Sequence, residues 1–134
     1  AYAGGNVLFD IATSINFDPL IFEPGSSKLT EAQKEQLTKM NELLEERPGV
    51  HITQCGFTNL NDREKISTQI IDPKKIQPPS AERLQKLTQL GNERQENVKN
   101  HLVSVGKIAH NRLILCEPEH HDDAVSISGV EISI

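Results

Sequence analysis

One helix-forming stretch constrains the fold of this chain more than any other part of the sequence. Leu90, Arg94, Val98 and Leu102 recur every four residues, and this spacing places them on one face of a helix. Three of the four side chains are apolar, and the fourth is an arginine. A guanidinium in an apolar row either reaches the edge of the core or serves a site at the end of the helix.

Length, composition and charge predict one soluble globular domain. The chain has 134 residues, of which 36% are hydrophobic and 25% are charged; this length suits a single core. A net charge of −5, few aromatic residues and the lack of a basic run argue against nucleic-acid binding. No apolar run approaches the roughly 18 residues of a membrane span, so we expect no direct membrane insertion. The first residues also lack the pattern of a signal peptide.

Capping signals define two main helices. Thr30 followed by Gln33 forms a capping-box pattern that begins the first helix. Ser80 is a suitable N-cap for the second helix, and Gly106 marks its C-terminal stop. Gly91 lies inside the second helix, where glycine costs roughly 1 kcal/mol relative to alanine. We therefore expect close packing or a bend at Gly91.

Four strands complete the predicted fold, at residues 15–22, 50–55, 113–116 and 125–134. The third strand is continuously apolar, as expected of a strand that is buried on both faces. The last strand changes phase at Ser128-Gly129, where we expect a β-bulge. Between residues 57 and 79 the chain is a loop, with a short polar helix as the alternative for residues 58–65. We predict an α+β fold of order β-α-β-α-β-β, with two main helices packed on a four-stranded mixed sheet.

A series of local motifs follows this order of elements. They are Phe22–Leu29, Gly56–Asn59, Leu90–Arg94 with Val98 and Leu102, Gly106–Ile108 with Arg112 and Leu113, and Val130–Ile132. Together they resemble the OmpA-like (OmpA/MotB C-terminal) domain family, over about residues 15–134, with residues 1–14 as a linker. The resemblance implies the sandwich fold of that family and non-covalent attachment to peptidoglycan.

The resemblance also implies a ligand site. In the family, a carboxylate after the second strand and an arginine of the second main helix hold the zwitterionic end of diaminopimelate, a match of charge and geometry. Carried over, the site comprises Phe57, Thr58, Asn59 and Arg94. The arginine is present, but Asn59 replaces the acid and Phe57 replaces a histidine. Asp62 could supply the missing carboxylate if its loop folds back, but we expect a solvated loop acid.

The triplet Asp62-Arg63-Glu64 and these departures resemble a subset of the family, the terminal domain of large AsmA-like envelope proteins of unknown function. This resemblance implies the periplasm of a Gram-negative cell envelope, near the outer membrane, and a longer parent chain. The expected function is a non-catalytic structural or interaction module with a degenerate peptidoglycan site. The alternative is a functional peptidoglycan-binding module. Arg94 is accordingly either a structural arginine paired with Glu93 or another nearby acid, or a retained ligand group.

Other candidate sites have simpler interpretations. His120 and His121 lie in an acidic loop, where first-row divalent metals could bind, but adjacent histidines rarely face one ion. We expect neither a metal nor another cofactor. For Cys55 and Cys116 we expect two buried free thiols; the alternative is a disulfide in an oxidising periplasm. The sequence contains no recognisable triad, paired carboxylates or phosphate-binding loop, so we expect no enzyme.

Overall fold

A mixed sheet organises the part of the chain that the computed structural model describes, residues 17–134. Its strands are β1 (Leu20–Ile21), β2 (Ile52–Thr58), β3 (Leu113–Leu115), β4 (Glu119–His120) and β5 (Gly129–Ser133). The helices are α1 (Glu31–Glu46), α2 (Leu60–Ser67) and α3 (Ala81–Ser104), with a 3-10 helix at His110–Arg112. The predicted linker, residues 1–14, and the first two residues of the predicted first strand lie outside the described residues.

Strand β2 is the centre of the sheet. The sheet has the order β1-β5-β2-β3 and is not closed, with β5 antiparallel to β1 and β2. Strand β3 pairs in parallel with residues 52–54 of β2, and β4 pairs in parallel with residues 57–58. The two short strands therefore follow one another along one edge of β2. The α+β class is as predicted, but the sheet has five strands, because β4 forms within the predicted acidic loop.

The core lies between one face of the sheet and helices α1 and α3. Its fully buried members include Leu37 and Leu44 of α1, Ile52 of β2, and Val98 and Leu102 of α3. Each such side chain contributes roughly 1.5–3 kcal/mol when it is removed from water. The apolar stripe predicted for the long helix is confirmed. None of the helices in the described part of the chain has the length and hydrophobicity needed to cross a bilayer.

The predicted helix signals correspond to real caps. The hydroxyl of Thr30 accepts a hydrogen bond from the backbone N–H of Gln33, whose side chain in turn accepts one from the N–H of Thr30. Ser80 caps α3 as predicted, since its side chain accepts a hydrogen bond from the backbone N–H of Arg83. A Cβ atom on Gly91 would lie 2.6 Å from the Cβ of Pro118. Gly91 is therefore a site of close packing, one of the two expected outcomes.

Four strand predictions are wrong in detail. Of the first strand, predicted at residues 15–22, the described residues form only Leu20–Ile21. Strand β2 runs on to Thr58, beyond the predicted stop at Gly56. Ile114 in β3 is 51% exposed, because the helices cover only one face of the sheet. Strand β5 begins at Gly129 and Val125 is 94% exposed. The change of phase at residues 128–129 thus marks the start of the strand instead of a bulge.

Cys55 and Cys116 form a disulfide, so the expectation of free thiols is wrong. Cys55 lies in β2 and Cys116 directly follows β3, and their Cα atoms are 4.8 Å apart. The parallel pairing continues past β3, since the N–H of Cys116 donates to the carbonyl of Gln54 (2.9 Å). This pairing holds the two cysteines side by side. The disulfide links residues that are 61 positions apart in sequence.

Replacing both cysteines with serine is expected to lower the free energy of unfolding by roughly 4 kcal/mol, the loop-entropy value for a closed loop of this length. Urea unfolding of the oxidised protein and of the Cys55→Ser/Cys116→Ser variant measures the difference. Reductant should shift the wild-type curve toward that of the variant and leave the variant unchanged. A reductant-insensitive wild-type curve would contradict a closed disulfide.

Candidate functional site

The five residues predicted for the ligand site meet at the junction of β2, α2 and α3. Phe57 and Thr58 end β2, Asn59 is the N-cap of α2, and Asp62 lies in the first turn of α2. Arg94 reaches this junction from the middle of α3. The structure therefore brings together residues that the sequence separates by up to 37 positions, as the hydrogen bond between Arg94 and Phe57 illustrates.

Every N–H group of the Arg94 guanidinium, a group with five donors, has a partner inside the protein. Two donate to the Asp62 carboxylate, from Nη2 to Oδ1 (2.7 Å) and from Nη1 to Oδ2 (3.1 Å). The other three donate to the backbone carbonyls of Glu23, Ser26 and Phe57 at 2.8–3.1 Å. The Arg94 side chain is 0% exposed. It therefore has no free donor for a ligand.

The Asp62 carboxylate is equally enclosed. Besides the two bonds from Arg94, its oxygens accept from the backbone N–H groups of Gly25 (2.7 Å) and Asn59 (2.9 Å). The hydroxyl of Ser128 donates to Oδ2 at 2.7 Å. The side chain of Asp62 is 0% exposed. The expectation of a solvated loop acid is wrong. Asp62 lies in the first turn of α2 and is enclosed by groups from the loop after β1, from α3 and from the residue before β5.

Arg94 neither snorkels to the surface nor pairs with Glu93. The Glu93 carboxylate accepts from Ser27 and Gln89 on the outside of α3. The acid that pairs with Arg94 is 32 positions away in sequence. In addition, the Cζ atom of Arg94 lies 5.3 Å from the centroid of the Phe22 ring, within the range of a cation–π contact. Of the two alternatives for Arg94, the geometry is that of a structural arginine paired with an acid.

Asn59 acts as a helix cap. Its side-chain oxygen accepts from the backbone N–H groups of Asn61 and Asp62, and its amide nitrogen donates to the carbonyl of Ser126 (3.0 Å). Asn59 is 4% exposed. Because these bonds engage its oxygen and its amide nitrogen, Asn59 holds α2 and the loop before β5 together.

The ionisation of Asp62 follows from its surroundings. Burial alone raises the pKa of Asp62, because it disfavours the charged carboxylate. The hydrogen bonds from Arg94, Gly25 and Asn59, together with the charge of Arg94, outweigh that effect. The pKa of Asp62 consequently lies below its ordinary value of 3.8, and the pair is ionised at neutral pH.

A chain of hydrogen bonds from Thr58 to Arg63 lies next to the ion pair of Arg94 and Asp62. The hydroxyl of Thr58 lies 2.9 Å from Nδ1 of His120, whose Nε2 lies 2.5 Å from Oδ1 of Asp122. The other oxygen of Asp122 accepts from Nη1 of Arg63 in α2 (2.8 Å). Burial raises the pKa of Asp122, but the bonds from His120 and Arg63 lower it further than burial raises it. This chain ties β4 to both β2 and α2.

The hydroxyl of Thr58, the imidazole of His120 and the carboxylate of Asp122 stand in the order of a catalytic triad. A nucleophile must be accessible to its substrate, however, and this hydroxyl is not. Thr58 is 1% exposed, and its side chain faces the interior of the junction. A substrate carbonyl would have to reach a buried hydroxyl to be attacked. The arrangement is suited to holding strands together.

The two candidate metal ligands have different surroundings, since the side chain of His120 is 7% exposed and that of His121 is 45% exposed. Both ring nitrogens of His120 are engaged by Thr58 and Asp122. His121 stacks on the ring of Phe57 at 5.9 Å and lies 3.4 Å from Glu119. Within residues 17–134, no group of three or more His, Cys, Asp or Glu side chains is arranged to hold a metal ion.

A groove of about 420 Å³ opens beside the junction. It lies between the exit of β1 and the loop before β5, and its walls include Glu23, Asn61 and Val125. Neither Arg94 nor Asp62 lines it. A molecule in this groove would meet the outer side of the loops that enclose the ion pair.

The sequence contained signals for part of this site. Asn59 with Asp62 three residues later is a cap with an acid at the third helical position, and this pattern favours the short helix over the loop. His120 and Asp122 are two apart, a spacing that places side chains on the same face of an extended segment. The contributions of Gly25 and Ser128 had no local signal, because they depend on the tertiary fold.

Comparison with known proteins adds no relative to this description. A scan against protein-family models finds no match, and a search of curated proteins finds none either.

The Asp62→Asn variant is expected to lose roughly 3–5 kcal/mol of unfolding free energy at neutral pH, the cost of breaking a buried pair. Asparagine would also turn an NH₂ group toward the donors of Arg94. Asp72→Asn is the matched control, since Asp72 is exposed and should change stability by less than about 0.5 kcal/mol. Urea unfolding measures both.

The pH dependence gives a second measure of the same pair. Because the folded-state pKa of Asp62 is lowered, its stabilisation is complete above the unfolded-state pKa of about 3.9 and is lost as the pH falls below it. The difference in stability between wild type and Asp62→Asn should therefore shrink in acid. A difference that grew as the pH fell would show that the carboxylate is not held in its charged form.

Proposed function

We propose that this domain is a non-catalytic structural or interaction module of a larger cell-envelope protein, with an OmpA-like fold and a degenerate peptidoglycan site. One observation carries the proposal. Arg94, which would recognise the carboxylate of diaminopimelate, donates all five of its N–H groups to Asp62 and to three backbone carbonyls.

The energetics favour this proposal over ligand binding. To receive an outside carboxylate, Arg94 would have to leave Asp62, and breaking a buried pair costs roughly 3–5 kcal/mol. Two new hydrogen bonds to a ligand carboxylate, at about 1.5–3 kcal/mol each, would do no more than offset that cost. The ammonium of the ligand would gain no charged partner at Asn59, whose side chain is occupied by its cap bonds. Exchange of the internal acid for an external one therefore brings little net gain, and it leaves the Asp62 carboxylate buried without its cation.

The disulfide supports the proposed compartment. Disulfides persist in oxidising compartments such as the bacterial periplasm and are rare in the cytosol. The bond between Cys55 and Cys116 thus agrees with the periplasmic setting that the resemblance implies. In that setting the partners of the module are other envelope proteins, with peptidoglycan at most a weak one.

The alternative is a functional peptidoglycan-binding module that anchors its parent protein to the cell wall. The observation in its favour is the groove bordered by Glu23, Asn59 and Asn61. A stem peptide lying there would contact a carboxylate and amides without entering the ion pair. This second function needs a mode of recognition different from the one that the family resemblance implies.

The test combines sedimentation with purified peptidoglycan and a titration with meso-diaminopimelate, followed by amide shifts in NMR spectra. We expect no co-sedimentation and no shifts at Phe57, Asn59 or Arg94 at ligand concentrations on the order of 1 mM, a range that detects even weak complexes. An OmpA-like domain with the Thr-Asp pair serves as the positive control.

The matched variant is Asn59→Asp, which keeps the oxygen that caps α2, gives up the bond to Ser126 and restores the acid that the family resemblance implies. It should still fail to bind, because Arg94 remains paired with Asp62. Binding gained by this variant would mean that the acid alone was missing. Binding by the wild-type protein, with shifts confined to the groove, would favour the alternative function.

A further inference from the structure

The connection between α2 and α3 is the longest described stretch without helix or strand. It covers residues 68–80, and most of its side chains are exposed. Lys74 and Lys75 stand next to each other in its middle, both exposed. A turn presents them, in which the backbone N–H groups of Lys74 and Lys75 donate to the side chain and the carbonyl of Asp72 (both 2.9 Å).

This segment is only lightly attached to the remainder of the fold. Within the described part of the chain, the hydrogen bond that ties residues 69–79 to another element runs from Nη1 of Arg63 to the carbonyl of Gln77 (2.8 Å). The bonds of the Asp72 turn are internal to the segment. A protease needs several residues in extended form, and this segment can provide them without opening the core.

Other exposed basic residues in loops are held more firmly. The loop that carries Lys28 is fastened to α3, since Asn97 donates to the carbonyl of Ser27 (2.7 Å) and Arg94 to that of Ser26 (2.8 Å). Lys107 directly precedes the buried Ile108, whose N–H donates to the carbonyl of Leu102 (3.1 Å). Cleavage at either site would first require breaking contacts of the core. Residues 1–16 contain no lysine or arginine.

We infer that the Lys74-Lys75 pair is a cleavage site for a trypsin-like protease, and that the cut domain stays folded as two disulfide-linked chains. In the reaction, water supplies its oxygen to the carbonyl carbon of Lys75 and both of its protons to the nitrogen of Ile76 as the C–N bond breaks. The products end in the carboxylate of Lys75 and begin with the ammonium of Ile76. Cleavage after Lys74 has the same balance.

The contacts that hold the two parts together all cross the cut. Asp62 belongs to the first fragment and Arg94 to the second, and the pair joins them inside the core. Strand β2 of the first fragment pairs with β3, β4 and β5 of the second. The disulfide between Cys55 and Cys116 adds a covalent link. Exposed loop tips are the usual sites at which a domain tolerates a nick.

Limited digestion with trypsin, followed by mass spectrometry, tests the site. The first products of the oxidised native protein should end at Lys74 or Lys75 and begin at Lys75 or Ile76. In the matched variant Lys74→Gln/Lys75→Gln the first cut should be slower by at least about tenfold, because cleavage elsewhere must wait for rarer openings of the fold. A first cut at any other residue, or an equal rate in the variant, would overturn the assignment of the site.

Gel electrophoresis and circular dichroism test the two-chain form. The nicked wild-type protein should migrate as one band without reductant and as two bands with it, and its helical signal should match that of the uncut protein. The nicked Cys55→Ser/Cys116→Ser variant should give two bands in denaturing gels with or without reductant. Loss of the helical signal on nicking of the oxidised wild type, or its separation without reductant, would refute the folded two-chain form.

Discussion

The buried ion pair between Arg94 and Asp62 is the interaction on which the rest of the structure depends. It joins the middle of α3 to the first turn of α2, and the same two side chains bind the backbone at the exit of β1 and at the end of β2. A lone charge at 0% exposure would be costly. Here each charged group has the other and a full set of hydrogen bonds, which compensate for its burial at the junction of the three elements.

The pair also bears on the binding function that we propose. Recognition of a zwitterion by this pair of residue types needs an acid and an arginine that face solvent, so that the ligand displaces only water from them. In this chain the acid that pairs with Arg94 is Asp62, inside the protein, and Asn59 caps α2. Both charged groups that the family resemblance implies for a ligand are engaged inside the fold, and for this reason we propose an interaction or structural module in place of a cell-wall anchor.

The sequence allowed the two main helices to be predicted better than the site. The stripe from Leu90 to Leu102 and the caps at Thr30 and Ser80 are local patterns, and they fixed the two main helices. The fate of Asp62 could not be derived from such patterns, because it lies in a polar stretch and its partner is 32 positions away. Its cap relation with Asn59 was the available signal, and it indicates a helix without indicating burial.

The same reasoning applies to the strands and the cysteines. Apolar runs located β3, but they could not show which face the helices leave open, so Ile114 was expected to be buried. Whether Cys55 and Cys116 meet depended on the parallel neighbour relation of β2 and β3, a property of topology that two cysteines in a sequence do not reveal. Periodicity specifies faces of elements, whereas pairing between elements comes from the assembled fold.

The most direct test of the account is the NMR spectrum of the Arg94 guanidinium, assigned by comparison with an Arg94→Lys variant. If all five N–H groups are engaged inside the protein, the Nε and Nη protons should give separate resonances that exchange slowly with water, and meso-diaminopimelate should leave them unchanged. Averaged Nη resonances in fast exchange with water, or resonances that move on addition of the ligand, would contradict a guanidinium that belongs to the fold.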